Sequence, residues 1–483
     1  MTNTMAWTAK IFDGGWIDGG EGTIDVMAPA DGALVGTVGA ADIDDLDRAV
    51  AKAAVAQQEW AAKPYAERAA VMTAAAAILA ENPERLTRWL VPESGSSHGK
   101  AGGEIDLVLA EFTEAAVLAS QPYGQLLRSG KPRLSIGRYV AMGVVGVISP
   151  FNFPAVLAMR SVAPALAVGN AVVLKPDPRT PISGGLVLAE ILAEAGLPDG
   201  LFHVLPSGAD VGAALVAHLD VPCISFTGST AAGRRIAQAA APLLKKVHLE
   251  LGGNNAFLVL PDADVAAAAS AGAWGSFLHQ GQICMASGRH LVPEHLAAEY
   301  TAELAKIAER TTVGDPTDPA NALGPIIDEK QLKRVDSIVQ ATLTAGAELA
   351  AGGTYEGLYY RPTVLSNVPR DSAAFTEEIF GPVAPVSSYR TVDEAIDIIN
   401  SSEYGLSVAI VTSNPFKAYE LASRIRSGAV HINDQTVDDE AVAPFGGVKA
   451  SGSGGHFGTT VNLDTFCDLQ WVTMQSEIQG YPL

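Results

Sequence analysis

The feature that most constrains the fold of this chain is a repeated alternation of strand-like and helix-like segments. Residues 144–148 and 171–174 are rich in β-branched side chains, and a helix-like stretch separates them. The alternation continues as far as Glu250 and then begins again. Such a pattern predicts parallel sheets covered by helices, with ligands bound beyond the carboxyl ends of the strands. We therefore predict an α/β fold with two domains, of which the first binds a nucleotide.

The chain has 483 residues, of which 48% are hydrophobic, and this length is sufficient for two or three domains. Two regions do not follow the alternation of either domain, and we expect them to pair with each other as an arm. The predicted divisions are residues 1–125 and 139–250 for the nucleotide-binding domain, 251–431 for the catalytic domain, 126–138 and 465–483 for the arm and tail, and 432–464 for a return to the first domain and the rim of the site.

The charge and hydropathy of the chain limit its partners. It carries 53 acidic and 32 basic residues, a formal net charge of -21, which argues against nucleic acid or an anionic membrane as the main partner. The longest apolar region, 156–174, contains Arg160, Pro164 and Asn170, so we expect no membrane span. Residues 1–10 lack the basic start and apolar stretch of an export signal, and we expect a cytoplasmic protein.

The three cysteines, Cys223, Cys284 and Cys467, have spacings that match neither a zinc site nor a disulfide framework. We therefore expect no bound metal and a reducing compartment. Cys223 lies in an apolar strand-like segment and Cys467 lies in the tail. We expect both of them to pack as small hydrophobic side chains.

Cys284 lies in the run Gly-Gln-Ile-Cys-Met-Ala-Ser-Gly-Arg at 281–289, 34 residues after Glu250. The glycines of both segments allow backbone and ligand to approach closely. As a thiolate, a cysteine attacks carbonyl groups, and a carboxylate can then activate the water that releases the resulting thioester. The pair therefore predicts covalent catalysis.

Four further runs accompany the segments around Glu250 and Cys284. They are Ser-Pro-Phe-Asn-Phe-Pro at 149–154, Phe-Thr-Gly-Ser-Thr-Ala-Ala-Gly at 226–233, Glu-Ile-Phe-Gly-Pro at 378–382 and Pro-Phe-Gly-Gly at 444–447. With these six runs in order, the chain resembles an NAD(P)-dependent aldehyde dehydrogenase over essentially its whole length. Two more runs, at 175–181 and 431–434, are most similar to the bacterial benzaldehyde and vanillin dehydrogenases. The resemblance implies two Rossmann-like domains, and a β-arm that bridges the subunits of a homodimer or homotetramer.

The resemblance also implies roles for three catalytic residues. Cys284 matches the nucleophile, which would form a thiohemiacetal and then a thioester, and Glu250 matches the general base. Asn152 matches the position whose side-chain amide, with the backbone N–H of Cys284, stabilises negative charge on the aldehyde oxygen. The implied reaction oxidises a small aldehyde to the carboxylic acid while a hydride passes to NAD(P)+.

The run that begins at Gly228 follows a predicted strand and opens a helix, where free N–H groups can bind a pyrophosphate. NAD-specific relatives carry a glutamate three residues after the lysine, whereas Pro178 stands there in this chain, between Asp177 and Arg179. We expect NAD as the cofactor and leave NADP open, because Arg179 can pair with a phosphate. The expected cofactor-binding residues are Ser149, Pro150, Phe151, Lys175, Arg179, Gly228, Ser229, Gly233, Leu251, Gly252, Glu378 and Phe380.

The substrate tunnel is expected to have mostly apolar walls, which suit a flat ring or an alkyl chain. We expect an aromatic aldehyde of the benzaldehyde or vanillin type, with an aliphatic or terpenoid aldehyde or a semialdehyde as the alternative. Arg160 can contact a ring substituent, bind the carboxylate of a semialdehyde, or form an ion pair within the protein. The expected tunnel residues are Phe153, Val156, Leu157, Arg160, Ile283, Met285 and Phe445.

Other functions stay open at this point. His248, His279 and His290 lie near the catalytic segments, so a hydrolase with a cysteine–histidine pair is an alternative, as is a binding protein without turnover. The branch of the family that passes the acyl group to coenzyme A is disfavoured because it has less need of a base such as Glu250. His456 stands where many relatives carry a glutamate, and it is either a proton relay or a surface residue.

Overall fold

A computed structural model describes residues 5–482 of the chain. The first four residues of the predicted nucleotide-binding domain and the last residue of the predicted tail lie outside the described residues. The strands fall into two large sheets and three small ones. They are β1 (Ile11–Asp13), β2 (Trp16–Ile17), β3 (Thr23–Met27), β4 (Leu34–Gly39), β5 (Gly124–Leu126), β6 (Leu134–Ala141), β7 (Val144–Ile148), β8 (Ala171–Lys175), β9 (Phe202–Val204), β10 (Cys223–Gly228), β11 (Lys246–Leu251), β12 (Asn255–Val259), β13 (Ser287–Pro293), β14 (Glu348–Ala351), β15 (Tyr355–Glu356), β16 (Tyr359–Tyr360), β17 (Thr363–Ser366), β18 (Val383–Tyr389), β19 (Ser407–Val411), β20 (Ala429–Ile432), β21 (Gly452–Ser453) and β22 (Cys467–Met474).

Local sequence signals explain several helix ends. Asp42 and Asp45 form a reciprocal capping box at the start of the first helix, and Pro64 separates that helix from the second. The helices are α1 (Ile43–Ala62), α2 (Tyr65–Glu81), α3 (Glu84–Ser94), α4 (His98–Leu118), α5 (Pro154–Ala167), α6 (Val187–Glu194), α7 (Ala209–Ala217), α8 (Thr230–Ala240), α9 (Val265–Phe277), α10 (Ala297–Arg310), α11 (Glu329–Thr344), α12 (Ala373–Thr376), α13 (Val392–Ser401), α14 (Pro415–Ala422) and α15 (Val461–Phe466).

The first large sheet has the strand order β2-β1-β9-β8-β7-β10-β11-β21. Its strands from β9 to β11 are mutually parallel, and the edge strands β1, β2 and β21 pair antiparallel. Strand β21 comes from the C-terminal part of the chain and lies against β11, with Gly452 opposite Glu250. Helices such as the fully buried α5 cover the sheet. The predicted α/β architecture with parallel sheets is therefore confirmed.

The second large sheet has the order β14-β17-β18-β13-β12-β19-β20 and is parallel except for β14. Its two faces have separate cores, because successive side chains of a strand point to opposite faces. In β12, Ala256 and Leu258 belong to one core, while Phe257 and Val259 belong to the other. The chain passes from the first sheet to the second between Leu251 and Asn255.

The arm is a three-stranded sheet with the order β22-β6-β5. Strand β22 pairs with β6 along eight residues, from Cys467 opposite Ala141 to Met474 opposite Leu134. The predicted pairing of the arm with the tail is therefore present. The predicted bounds of 126–138 differ from the observed strands, which cover 124–126 and 134–141, because the pairing with β22 extends β6 beyond residue 138.

Candidate active site

A cavity of about 640 Å³ lies in the cleft where the central strands of the first sheet end. Ser149 follows β7, and Lys175, Gly228 and Leu251 are the last residues of β8, β10 and β11. Glu378, from the second domain, lines the opposite wall. The carboxyl ends of parallel strands thus meet at one site, as the alternation in the sequence predicts.

All but one of the expected cofactor-binding residues line this cavity. The exception is Gly233, which lies within α8 and packs against Leu251, where a β-carbon would collide with the leucine side chain. Its small size is needed for the helix to approach the strand, and its assignment to the cofactor stays a prediction. The residues that line the cavity as expected are Ser149, Pro150, Phe151, Lys175, Arg179, Gly228, Ser229, Leu251, Gly252, Glu378 and Phe380.

Polar groups of the first domain give the cavity the properties of a phosphate- and ribose-binding site. The Ser229 side chain caps α8 by accepting a hydrogen bond from Ala232 N–H, and the start of α8 faces the cavity. The Ser149 hydroxyl is buried and has no hydrogen-bond partner among residues 5–482. Burial lowers the pKa of Lys175, and the carboxylate of Asp177 opposes this effect. These unpartnered and cationic groups fit a dinucleotide.

Arg179 is not a free cation. Its guanidinium donates to both carboxylate oxygens of Asp177 at 2.9 and 2.8 Å and to Asp328 at 2.6 Å, and it lies over the ring of Phe151. Two carboxylates therefore pair with the positive charge of Arg179, which the sequence analysis considered as a partner for a 2′-phosphate. The open alternative of NADP loses its main support from the sequence.

The second domain contributes Glu378 and Phe380 to the cavity. A β-carbon at Gly252 would collide with the Glu378 carboxylate, which accepts a hydrogen bond from Gly253 N–H at 3.1 Å. Burial raises the pKa of Glu378 to about 7. Phe380 adopts a left-handed backbone conformation with φ of 55° and packs edge-on against Phe151. The glycines after β11 thus allow the wall of the second domain to approach the first.

Cys284 lies in the connection between α9 and β13. His279, Gln280 and Gly281 all have positive φ, which turns the chain sharply before the cysteine. The turned segment is held by amide side chains, because Asn255 donates to Cys284 O at 2.8 Å. The position of the thiol is therefore defined by the surrounding domain.

The environment of Cys284 does not stabilise a thiolate. Burial raises its pKa to about 12, and the carboxylates of Glu378 and Glu250 add to the effect. Among the described residues, no histidine is hydrogen-bonded to it. Instead His290 bonds Ser276 and Tyr300, while His279 packs edge-on against Phe153. Within residues 5–482 Cys284 therefore has no hydrogen-bonded histidine of the kind that a hydrolase would require.

Asn152 lines the cavity beside Cys284 and is held from two directions. Its side-chain amide donates to Gln282 O at 2.8 Å, and its backbone carbonyl accepts from Lys100 Nζ at 2.7 Å. Lys100 in turn is ion-paired with Glu104, and both are buried. Sequence analysis missed this buried pair, although a lysine and a glutamate four residues apart on one helix is a recognisable signal.

Glu250 is a buried carboxylate on β11 whose side chain faces the same cavity. Burial raises its pKa, and a hydrogen bond from His248 is the largest opposing cause. His248 Nε2 lies 3.1 Å from Glu250 Oε1. Sequence analysis considered His248 only as a partner of the cysteine, although residues two apart in a strand share one face.

A second cavity of about 570 Å³ meets the first at the thiol. Cys284, Asn152, Leu157, Arg160 and Phe445 line both cavities. The thiol therefore lies between the first cavity, whose lining suits a dinucleotide, and the second cavity, which is mostly apolar. All the expected tunnel residues line the second cavity: Phe153, Val156, Leu157, Arg160, Ile283, Met285 and Phe445.

Arg160 is ion-paired within the protein. It contacts Asp439 and donates to Glu111 at 3.2 Å, and its guanidinium lies over the rings of Phe445 and Phe457. The sequence left three roles open for Arg160, and the structure shows the one in which it forms an ion pair within the protein. Sequence analysis missed several residues that line one of the two cavities: Lys100, Trp274, Asp328, Tyr404, Asp438, Asp439 and Phe457.

Comparison with known proteins agrees with this geometry. The model of the aldehyde dehydrogenase family matches residues 16–472. A vanillin dehydrogenase of Amycolatopsis sp. is 52% identical over 477 residues, which cover 99% of this chain and 98% of that protein. A benzaldehyde dehydrogenase [NAD(+)] of Pseudomonas putida is 47% identical with the same coverage. The crystal structure of betaine aldehyde dehydrogenase from Staphylococcus aureus in complex with NAD+ has a TM-score of 0.95 at 29% identity, and the match covers 98% of this chain and 96% of that chain.

Two α/β domains with a nucleotide-type cavity that meets a second cavity at a cysteine define an oxidoreductase that uses a dinucleotide. The chain belongs to the aldehyde dehydrogenase family, and it is an NAD(P)-dependent enzyme that oxidises aldehydes. The family, the fold and the class of enzyme predicted from the sequence are confirmed. No helix within residues 5–482 is long and apolar enough to cross a membrane.

Proposed function

We propose that this aldehyde dehydrogenase oxidises an aromatic aldehyde of the benzaldehyde or vanillin type to its carboxylate with NAD. The observation that carries the proposal is the mostly apolar second cavity, which ends at the Cys284 thiol. Aromatic side chains such as Phe153 and Phe445 form part of its walls, and they suit a flat ring. The names of the vanillin and benzaldehyde dehydrogenases that are 52% and 47% identical support the same substrate class.

The proposed chemistry uses three side chains around the thiol. Cys284 gives its proton to solvent water and its sulfur forms a bond to the aldehyde carbon, while the Asn152 amide and the Cys284 N–H donate to the developing oxyanion. The bound dinucleotide supplies the acceptor for the hydride that leaves this carbon. Glu250 then takes a proton from water, whose oxygen attacks the thioester, and the carbon–sulfur bond breaks to release the carboxylate.

NAD is the proposed cofactor. Lys175 and Ser229 line the first cavity and would contact ribose and phosphate, and Glu378 and Phe380, which also line it, would contact the nicotinamide end. Because Asp177 and Asp328 already pair with Arg179, a 2′-phosphate would have to displace a carboxylate to reach its guanidinium. We therefore expect a lower KM for NAD than for NADP.

The charges around the second cavity disfavour a semialdehyde. Both cations that line it are paired, Arg160 with Glu111 and Asp439, and Lys100 with Glu104. A substrate carboxylate would find no free cation there and would lie near Asp438 and Asp439. An apolar ring avoids this desolvation cost. An aliphatic or terpenoid aldehyde is the alternative substrate, and hexanal tests the aliphatic case.

The test measures NADH and NADPH formation at about 340 nm with benzaldehyde, vanillin, hexanal and succinate semialdehyde. Faster turnover of the two aromatic aldehydes with NAD is expected. Cys284→Ala should abolish the reaction, and Glu250→Gln should release about one NADH per site and then stall. Preferential oxidation of hexanal or the semialdehyde would reject the assignment of an aromatic substrate. Normal turnover of Glu250→Gln would reject the role of Glu250 as the general base.

We further propose a homodimer or homotetramer and a cytoplasmic location. Large apolar side chains on the outer strand of the arm support assembly, since Leu469 and Trp471 are 70% and 63% exposed. The three cysteines are free, which agrees with a reducing compartment.

A further inference from the structure

His248 and Glu250 form a buried pair next to the thiol. They are two residues apart on β11, so their side chains leave the strand on the same face. Nε2 of His248 lies 3.1 Å from Oε1 of Glu250, and the two side chains are 1% and 4% exposed. The other carboxylate oxygen, Oε2, has no hydrogen-bond partner among the described residues. One oxygen is thus held by the imidazole and the other is available to a water.

A buried carboxylate needs such a donor to act as a base. Removing an ionised carboxylate from water is unfavourable, and without a partner Glu250 would tend to keep a proton. Arg160 on α5 and His456 near β21 also face this carboxylate, but His248 provides its hydrogen bond. The imidazole is itself fixed by its edge-on packing against Phe457, at a ring separation of 4.3 Å.

We propose that His248 is the positioning residue of the general base: its Nε2–H holds Oε1 of Glu250, so that Oε2 faces the water that attacks the thioester. This inference rests on the proposed function of Glu250 and concerns the release of the acid. In that step Oε2 takes a proton from water, the water oxygen bonds to the acyl carbon, and the carbon–sulfur bond breaks to give the carboxylate and the Cys284 sulfur. Hydride transfer does not require His248.

The test compares two variants of the histidine by rapid mixing of enzyme, NAD and benzaldehyde. His248→Phe keeps the aromatic packing against Phe457 but removes the donor, whereas His248→Gln places an amide N–H at a similar reach. For His248→Phe we expect a burst of about one NADH per site at nearly the wild-type rate, followed by turnover about ten- to hundredfold slower. His248→Gln should recover most of the steady-state rate.

The pH profile gives a second readout that a purely structural role would not change. Loss of the donor favours protonated Glu250, so the acidic limb of kcat should move to higher pH in His248→Phe and stay near its original place in His248→Gln. Arg160, His456 and Cys284 are unchanged in both variants, so the difference reports the lost hydrogen bond.

The outcomes separate this inference from the proposed function. Glu250→Gln, measured in parallel, should show the burst without turnover. If Glu250→Gln stalls while His248→Phe turns over like the wild type, the role of His248 is rejected and that of Glu250 stands. Equal loss of the burst and the steady state in both histidine variants also rejects the inference, because it indicates a packing defect. Normal turnover of Glu250→Gln rejects both roles.

Discussion

Burial and pairing determine the chemistry of individual residues in this site. Burial raises the pKa values of both Glu250 and Cys284, and the Cys284 thiol, with a pKa of about 12, keeps its proton at neutral pH. Arg160 and Arg179, two of the arginines that line the site, are each shared between two carboxylates. The protein thus presents an apolar cavity to the substrate, although its lining includes charged residues.

The raised pKa of Cys284 predicts slow alkylation of the free enzyme. Because the thiolate reacts and the pKa is about 12, the rate of labelling by iodoacetamide should rise about tenfold per pH unit from about pH 7 to pH 9. Mass spectrometry of the peptide that contains Cys284 measures the rate, with Cys284→Ser as the control. A plateau near neutral pH would show that the thiol is already ionised in the free enzyme.

At the scale of elements, the connection between α9 and β13 is the most constrained segment of the site. Three consecutive residues, His279 to Gly281, have left-handed backbone conformations, which non-glycine residues rarely adopt. At Gly281 a β-carbon would also collide with the backbone carbonyl of Gly381. Strain of this kind persists only where the surroundings hold the chain in place.

Gly281→Ala should therefore destabilise the protein and displace the thiol. We expect a loss of more than about 1 kcal/mol of unfolding free energy, together with a lower kcat. The matched control is Gly102→Ala in α4, where the new methyl group meets no atom within 4 Å and should stabilise the helix. Chemical denaturation measures both changes. Equal stability of the two variants would contradict the assignment of strain to position 281.

At the scale of the whole molecule, two α/β domains provide opposite walls of one cleft. The C-terminal part of the chain returns to the first large sheet and to the arm. Strand β21 completes the large sheet beside Glu250, and β22 forms the edge of the arm. The apolar outer surface of the arm is accessible in the single chain. An exposed apolar edge strand is typical of an interface between subunits.

Leu469→Asp should weaken assembly. A carboxylate on β22 would have to be desolvated in an interface, and we expect the mass in solution to shift toward that of one chain. Leu219→Asp is the matched control, since Leu219 is 79% exposed and lies between α7 and β10 rather than on an arm strand. Size-exclusion chromatography with light scattering measures the mass. An unchanged mass for Leu469→Asp would place the interface elsewhere or exclude it.

The sequence by itself determined the alternation that produces two parallel sheets, because β-branched runs and helical periodicity are local properties. It also determined the residue types of the site, since Cys284, Glu250 and Asn152 lie in short runs whose chemistry is readable from the chain. Parallel strands bring their carboxyl ends to one edge, so the place of the cavity followed from the order of the elements.

Only the tertiary structure decided the ion pairs of the site that join distant segments of the chain. Arg179 meets Asp328, which is 149 positions away, and Arg160 meets Glu111, which is 49 positions away. Such contacts depend on which helices pack together, and no local pattern specifies them. The same holds for the close packing of Gly233 against the leucine of a neighbouring strand. Periodicity and motif are local, whereas burial and ion pairing arise from contacts between segments distant in the chain, and these contacts control pKa values and the charges available to a ligand.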